Sequence, residues 1–138
     1  MKTYTSLNLI QEDLKKGNIS CISLVEYYLA NITSKAHLNA LVEVYEEEAR
    51  NKALQIDQKI KNGTAGKLAG LIVSIKDVLS YTDHHLNGGS KILDGFVAQY
   101  TGTAVEKLLK EDAIIIGRNN CDEFAMGSSN ENSAFGMF

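Results

Sequence analysis

Apolar residues within the first 35 positions recur every three or four residues, which is the spacing of one face of an α-helix. Leu7, Ile10 and Leu14 form such a face, and Gly17 follows where a left-handed C-terminal cap is expected. Ser20 can accept from the free backbone amides of a second helix, which fades near Lys35. The apolar stripe of this second helix consists of Leu24, Val25, Tyr28, Leu29 and Ile32.

The next two elements are predicted from a change of period. Residues 41–45 alternate apolar and polar side chains and are rich in β-branched residues, which predicts a strand with one covered face. A third helix follows, with acidic residues 46–48 at its N-terminal end and Lys59 and Lys61 at its C-terminal end, as the helix dipole favours. Its buried face is expected to consist of Ala49, Ala53, Ile56 and Ile60.

The second half of the chain alternates strand, helix and strand. Residues 71–75 are apolar almost throughout, which predicts a central strand covered on both faces. Residues 81–90 are expected to form a polar loop, and Val105, Leu108 and Leu109 mark a helix. Residues 113–116 form a second buried strand that Gly117 is expected to close. This pattern predicts an α/β fold with a right-handed crossover.

Composition narrows the class of protein. Of the 138 residues, 44% are apolar, enough for the core of one soluble domain. A net charge of -3 with interspersed acids and bases gives no basic patch, so any RNA contact is expected through a partner. The first residues show neither an apolar signal region nor a bilayer-spanning stretch, which favours a cytoplasmic protein. Cys21 and Cys121 lack ligand spacing and are expected to be reduced, buried thiols.

Three polar groups have chemical interpretations that their context does not favour. Residues 88–91 resemble a phosphate loop but lack its second glycine spacing and its position between a strand and a helix. His84 and His85 have no further ligands at metal-site spacing, so a solvated loop is expected. Asp122 and Glu123 are adjacent and would not share a helix face, so capping is expected rather than an acid pair.

Lys76 is the strongest candidate for chemistry because it ends the apolar strand 71–75. Lysines at strand ends usually place the ammonium in water. A covered site would instead disfavour the charged amine, and a neutral lysine can accept a proton. Asp77 is expected to point to the opposite face of the strand. Residues 122–136 are polar and rich in Gly and Ser, and are expected to form a loop that faces a ligand.

These two segments carry a resemblance to a known family. Residues 70–77, Gly-Leu-Ile-Val-Ser-Ile-Lys-Asp, resemble the lysine motif of the amidase signature family, and residues 117–136 look like its form in tRNA-dependent amidotransferases. The resemblance covers nearly the whole chain but only an N-terminal portion of the family's fold. It implies part of a mixed β-sheet flanked by helices on both sides. The partial domain, 1–138, would have a helical region with one strand at 1–65 and a sheet core at 66–138.

What the resemblance implies for chemistry is a Ser, cis-Ser, Lys triad that hydrolyses glutamine. Lys76 matches the triad lysine, and the substrate-binding positions are Met126, Gly127, Ser128 and Ser129, with Ser128 the first choice for a polar contact. The released ammonia would serve a partner, the B subunit, which uses ATP and magnesium to convert misacylated Glu-tRNA(Gln) to Gln-tRNA(Gln). A small C subunit would complete a heterotrimer. No metal or cofactor is expected on this chain itself.

The sequence also departs from the family pattern. Ile72 stands where the family usually has proline, residues 136–138 differ from the usual continuation, and the segment that would hold both triad serines is missing. The 138-residue chain is therefore expected to be inactive by itself. Two alternatives stay open, a non-catalytic amidase-like binding or assembly module and another amidase that hydrolyses small amides. An unrelated nucleotide-binding α/β domain ranks last because no glycine-rich phosphate turn joins a strand to a helix.

Overall fold

Four α-helices and three β-strands make up the regular structure in a computed structural model that describes residues 3–138. Met1 and Lys2 lie outside the described residues, and the prediction that the first residues form no signal region includes them. The strands form one mixed sheet in the order β1, β3, β2, which confirms the expected α/β class. The helices are α1 (Leu7–Lys15), α2 (Cys21–Ser34), α3 (Glu46–Lys61) and α4 (Thr103–Lys110), and the strands are β1 (Leu41–Val44), β2 (Ile72–Lys76) and β3 (Ile114–Asn119).

The first two helices begin and end as their caps predict. Gly17 has φ +72° just after α1, a left-handed conformation that suits glycine. The Ser20 hydroxyl accepts from the backbone N–H of Ser23, as expected for a cap of α2. Asp57 on α3 adds a cap that the local pattern did not indicate, because its carboxylate accepts from the N–H groups of Cys21 and Ile22.

Helix α3 packs its predicted apolar face and is fastened at its C-terminal end by a buried carboxylate. Ala49, Ala53 and Ile56 are buried, whereas Ile60, which was also expected on this face, is only partly buried. Asp112, only 2% exposed, accepts from Lys59 Nζ at 2.7 Å and from the backbone N–H of Gly66 at 2.8 Å. Burial by itself would raise the pKa of Asp112, but these donors and the nearby lysine charges lower it overall.

Strand β3 lies in the middle of the sheet and is longer than its apolar run. It continues past Gly117 to Asn119, so the expectation that Gly117 closes the strand is wrong. Strand β1 pairs antiparallel with β3, with Val44 opposite Gly117. A Cβ at Gly117 would lie 2.5 Å from the carbonyl oxygen of Glu43, so the close approach of the two strands requires glycine here.

Strand β2 lies at an edge of this sheet, and the prediction of a central strand covered on both faces is wrong for the described residues. The N–H of Ile114 donates to Leu71 O near its start, and the N–H of Asp77 donates to Asn119 O at its end, so β2 and β3 run parallel. Along β2, Ile75 is buried whereas Ser74 and Lys76 are exposed. An apolar run indicates burial, but the strand order depends on distant pairing partners that the run does not reveal.

The chain divides into two compact units. One contains the chain up to Ser34 with residues 45–73 and 107–116, and the other contains residues 35–44, 74–106 and 117–138. All five predicted site residues belong to the second unit. Cys21 and Cys121 are free and buried, as predicted. Among residues 3–138, no helix combines the length and the apolar character needed to cross a bilayer.

Candidate active site

Lys76 ends strand β2 with its side chain exposed, while Asp77 is completely buried. The pleat of a strand sends successive side chains to opposite faces, so the expected divergence of these two residues is present. The face of β2 that carries Ser74 and Lys76 is exposed, so the described residues do not form the covered site that would disfavour the charged amine.

Asp77, which follows Lys76 in the chain, forms a buried charge pair with Arg118. Both side chains have 0% exposure, and Arg118 Nε lies 3.6 Å from Asp77 Oδ1 and 3.9 Å from Glu43 Oε2. Arg118 also donates to the carbonyl oxygen of Leu79 at 3.1 Å. Because a lone buried charge is strongly unfavourable, the pair fixes the end of β2 against β3.

Asp77 also organises the glycine turn at residues 87–89. Its two carboxylate oxygens accept from the N–H groups of Asn87 and Gly89, each at 3.1 Å, and its carbonyl accepts from the N–H of Gly88 at 2.9 Å. Gly88 and Gly89 have φ of +59° and +66°, which lets the turn bring these amides to one residue. The local pattern indicated the direction of Asp77 but not this role.

The glycine turn in turn supports the segment after β3. Its Gly88 carbonyl accepts from the N–H of Phe124 at 2.6 Å, and its Gly89 carbonyl accepts from the N–H of Ala134 at 2.8 Å. A Cβ on Gly89 would collide with the carbonyl oxygen of Cys121. The lysine strand and the predicted substrate loop are therefore connected through Asp77 and this turn.

The predicted substrate-binding residues lie in residues 126–132, which we name the pocket segment. Met126 is 87% exposed, and Gly127, Ser128 and Ser129 are also exposed. The Ser129 hydroxyl donates to Glu131 at 2.6 Å. These residues form neither helix nor strand, as expected for a loop, and they present polar groups to solvent.

Asp122 holds the pocket segment, and its expected capping role is wrong. It precedes the short 3₁₀ turn Glu123–Ala125 but makes no side-chain cap bond to it. Instead, its carboxylate accepts from the N–H groups of Asn130 and Asn132, each at 2.9 Å. Donation from the Asn132 and Asn130 amides lowers the pKa of Asp122, and the charge of Lys76 lowers it further. The sequence could have indicated this role, because the backbone N–H groups of an irregular loop need an acceptor and the Asp122 carboxylate stands directly before one.

Glu123 contacts a different part of the site from its neighbour Asp122. The Glu123 carboxylate accepts from the Ser90 hydroxyl at 2.6 Å, which ties the turn after Gly89 to the same loop.

Burial raises the pKa of the nearby Cys121 thiol, with Asp77 adding to the rise and Lys76 opposing it. The charge of Lys76 therefore favours the ionised form of both Cys121 and Asp122.

His84 and His85 lie in the irregular segment before the glycine turn. His84 stacks on Tyr81 with ring centroids 4.0 Å apart, and His85 Nδ1 lies 3.4 Å from Glu43. No cluster of metal-ligating side chains occurs within residues 3–138. Residues 88–91 lead into a 3₁₀ turn that Ser90 caps, rather than into an α-helix with a phosphate loop.

A cavity of about 400 Å³ lies in the first unit, and none of its lining residues is a predicted site residue. Gln11 spans part of it by donating to the carbonyl oxygens of Lys67 and Ala69 at 2.8 and 3.1 Å. Its lining consists of Gln11, Leu14, Lys15, Ile60, Gly63, Ala65, Gly66, Lys67 and Ala69.

Comparison with known proteins gives one consistent family. The model of the family described as Amidase matches residues 23–137. The A subunit of glutamyl-tRNA(Gln) amidotransferase from Chlorobium phaeobacteroides (strain BS1) is 45% identical over 134 residues, covering 96% of this chain and 28% of the relative. The same protein from Coxiella burnetii (strain Dugway 5J108-111) is 42% identical over 128 residues, covering 92% of this chain and 26% of the relative.

A solved structure is also similar. It comes from a vestigial protein complex that reveals the evolutionary origins of an s-triazine catabolic enzyme, and it matches with a TM-score of 0.88 and 30% identity. The match covers 96% of this chain and 30% of the solved chain. The sequence thus spans between a quarter and a third of the length of the proteins it resembles.

Proposed function

Because the chain belongs to the amidase family, we propose that it is an N-terminal portion of the glutamine-hydrolysing subunit of glutamyl-tRNA(Gln) amidotransferase. The observation that carries the proposal is the 45% identity to such a protein over 96% of the chain. The long match at residues 117–136, noted from the sequence, supports this branch over amidases in general.

In the proposed reaction the whole protein releases ammonia from glutamine. Lys76 passes protons through a serine on a cis peptide to a nucleophilic serine, and neither serine has a counterpart assigned among these 138 residues. Met126, Gly127, Ser128 and Ser129 line the glutamine pocket. Ammonia then serves the B subunit, which activates the glutamyl group of misacylated tRNA with ATP and magnesium, while the C subunit completes the heterotrimer. This carbon–nitrogen ligase activity belongs in the cytoplasm.

The structure supports this assignment through the neighbourhood of Lys76. The lysine and Asp122 interact electrostatically, and Asp122 holds the pocket segment. General-base work requires a desolvated amine, whereas Lys76 is exposed here. The proposal therefore requires that another polypeptide segment covers the exposed face of β2 in the working enzyme.

A graft tests the proposal directly. Residues 1–135 replace the matching region of the A subunit from Chlorobium phaeobacteroides, which is then assembled with its B and C subunits, and glutamate release from glutamine is measured. We expect turnover in the graft and a loss of at least about 100-fold in Lys76→Ala, the contribution of a general base. The matched control is Lys91→Ala, which removes an exposed lysine of the same unit.

The expected outcomes distinguish the parts of the proposal. A folded, assembled graft without glutaminase activity contradicts the proposed function, and an active graft that tolerates Lys76→Ala contradicts the role of the lysine. The 138-residue chain alone is expected to release no glutamate, because no nucleophilic serine is assigned in it. Turnover by that chain, abolished by Lys76→Ala, would contradict its proposed inactivity.

A second candidate function is a non-catalytic binding or assembly module. The exposure of Lys76 favours it, because the lysine lacks the cover that a base needs. Calorimetric titration of the 138-residue chain with glutamine, and separately with the B and C subunits, separates the candidates. Glutamine binding without hydrolysis indicates a retained pocket, and binding of the other two proteins alone indicates an assembly role.

A further inference from the structure

The far end of the pocket segment is attached to a single buried carboxylate. Asp122 is 5% exposed, its Oδ2 accepts from the N–H of Asn130 and its Oδ1 accepts from the N–H of Asn132. The nearby backbone amide of Ser129 also helps to lower the pKa of this carboxylate. Bonds to an ionised acceptor are roughly twice as strong as neutral ones, so the carboxylate is a strong anchor for an otherwise irregular loop.

The near end of the pocket segment rests on the same side chain. A Cβ on Gly127 would collide with Asp122 Oδ2 and lie 2.5 Å from Asp122 Cγ. The carboxylate has little freedom to move aside, because its oxygens are engaged by backbone amides. The main chain at Gly127 can therefore lie against Asp122 only in the absence of a side chain.

Asp122 also lies within the field of Lys76, since the lysine charge acts on the carboxylate. One side chain thus contacts both ends of the pocket segment and interacts with the amine assigned as the base. The 3₁₀ turn that follows Asp122 does not use this side chain, because no cap bond forms.

We propose that Asp122 is a positioning residue of the amidase site, whose carboxylate sets the shape of the pocket segment for glutamine. This inference rests on the proposed function for the identity of the ligand. The anchoring itself rests only on the amide bonds of Asn130 and Asn132 and on the contact with Gly127. Asp122 does not touch the reacting atoms in this assignment and acts through the residues that it holds.

Amide exchange in the 138-residue chain tests the anchoring without any enzymatic activity. In Asp122→Asn we expect exchange of the Asn130 and Asn132 N–H groups to accelerate at least about tenfold, because one acceptor oxygen is replaced by an NH2 donor and the other loses its negative charge. The N–H of Asn120, which donates to Ala40 O, is the internal reference and keeps its protection. Asp94→Asn, at an exposed aspartate, is the matched control. Unchanged exchange at both asparagines overturns the proposal.

A double-mutant cycle tests the contact at Gly127 and guards against simple misfolding. Gly127→Ala alone is expected to accelerate exchange in the pocket segment, because its methyl group strikes the fixed carboxylate. In an Asp122→Ser background the same change should have a smaller effect, because the obstruction is gone. Equal effects in both backgrounds overturn the steric part of the inference.

The graft tests the consequence for glutamine. We expect Asp122→Asn to raise the KM for glutamine about tenfold while kcat changes by less than about threefold, since the segment binds substrate and Lys76 is intact. Asp122→Glu, which restores the charge, should recover part of the affinity. A fall in kcat at unchanged KM, or no change in either, overturns the positioning role. A graft whose unmutated form is inactive contradicts the proposed function instead, and the exchange experiment still decides the anchoring.

Discussion

Asp77→Asn is expected to destabilise the 138-residue chain because it breaks a buried charge pair. Asp77 and Arg118 are both fully buried, and the two Asp77 oxygens also accept from two backbone amides. Breaking such a pair costs about 3–5 kcal/mol. Glu43, at 3.9 Å from Arg118 and 32% exposed, still compensates part of the stranded charge, so the lower end, about 3 kcal/mol, is expected.

Urea unfolding followed by circular dichroism measures this loss. With a denaturant slope of about 2 kcal/mol per molar urea, the midpoint should fall by about 1.5 M. Asp94→Asn, at an exposed site, should change the free energy of unfolding by less than about 0.5 kcal/mol. Adding Arg118→Met to Asp77→Asn should recover stability, because it removes the unpaired charge. A loss below about 1 kcal/mol, or a double variant no better than the single one, refutes this reasoning.

Three further predictions concern single residues. The pKa of Asp112 is lowered despite its burial, chiefly by Lys59. The ionised carboxylate therefore stabilises the fold above the ordinary carboxyl pKa range, and this stabilisation is lost as pH falls. In Asp112→Asn the urea midpoint should depend less on pH between about pH 2 and 5. Burial raises the pKa of Cys21 from 9.0 to about 12. The neutral thiol therefore stabilises the fold fully below about pH 9, and this stabilisation is lost as pH rises towards 12. Over that range the urea midpoint should fall less steeply in Cys21→Ala. Gly117→Ala should cost about 1–3 kcal/mol by thermal unfolding. Gly102→Ala should cost less than about 1 kcal/mol, because its Cβ would come no closer than 3.6 Å to the backbone of Ser80.

The helical half of the chain was predictable because its signals are local. The periodic faces of α1, α2 and α3 and the caps at Gly17 and Ser20 depend on residues a few positions apart. Tyr28, which was expected in the apolar stripe of α2, is an exception and is 40% exposed. The place of β2 in the sheet was not predictable in the same way. Its apolar run indicates that some surface is covered, but the strand that lies beside it is set by pairing across the chain.

The candidate site was predictable in its residue types but not in its supports. The lysine motif and the loop after β3 were recognised as segments, whereas the roles of Asp77, Arg118 and Asp122 depend on amides and charges distant in sequence. Gly117 misled the prediction because glycine in a strand can permit close approach as well as end the strand. The residues on either side of a glycine do not show whether it ends a strand or permits a close approach of the neighbouring strand.

The path of the chain through its two units has a consequence for how the protein is made. Gln11 donates to a carbonyl 56 residues further along, and Asn39 donates to the carbonyl of Met137, 98 residues away. Each unit is built from three separate stretches of the chain, so neither unit can finish folding before its last stretch has left the ribosome. Partners this distant slow folding, and an unfinished chain displays apolar side chains that attract chaperones.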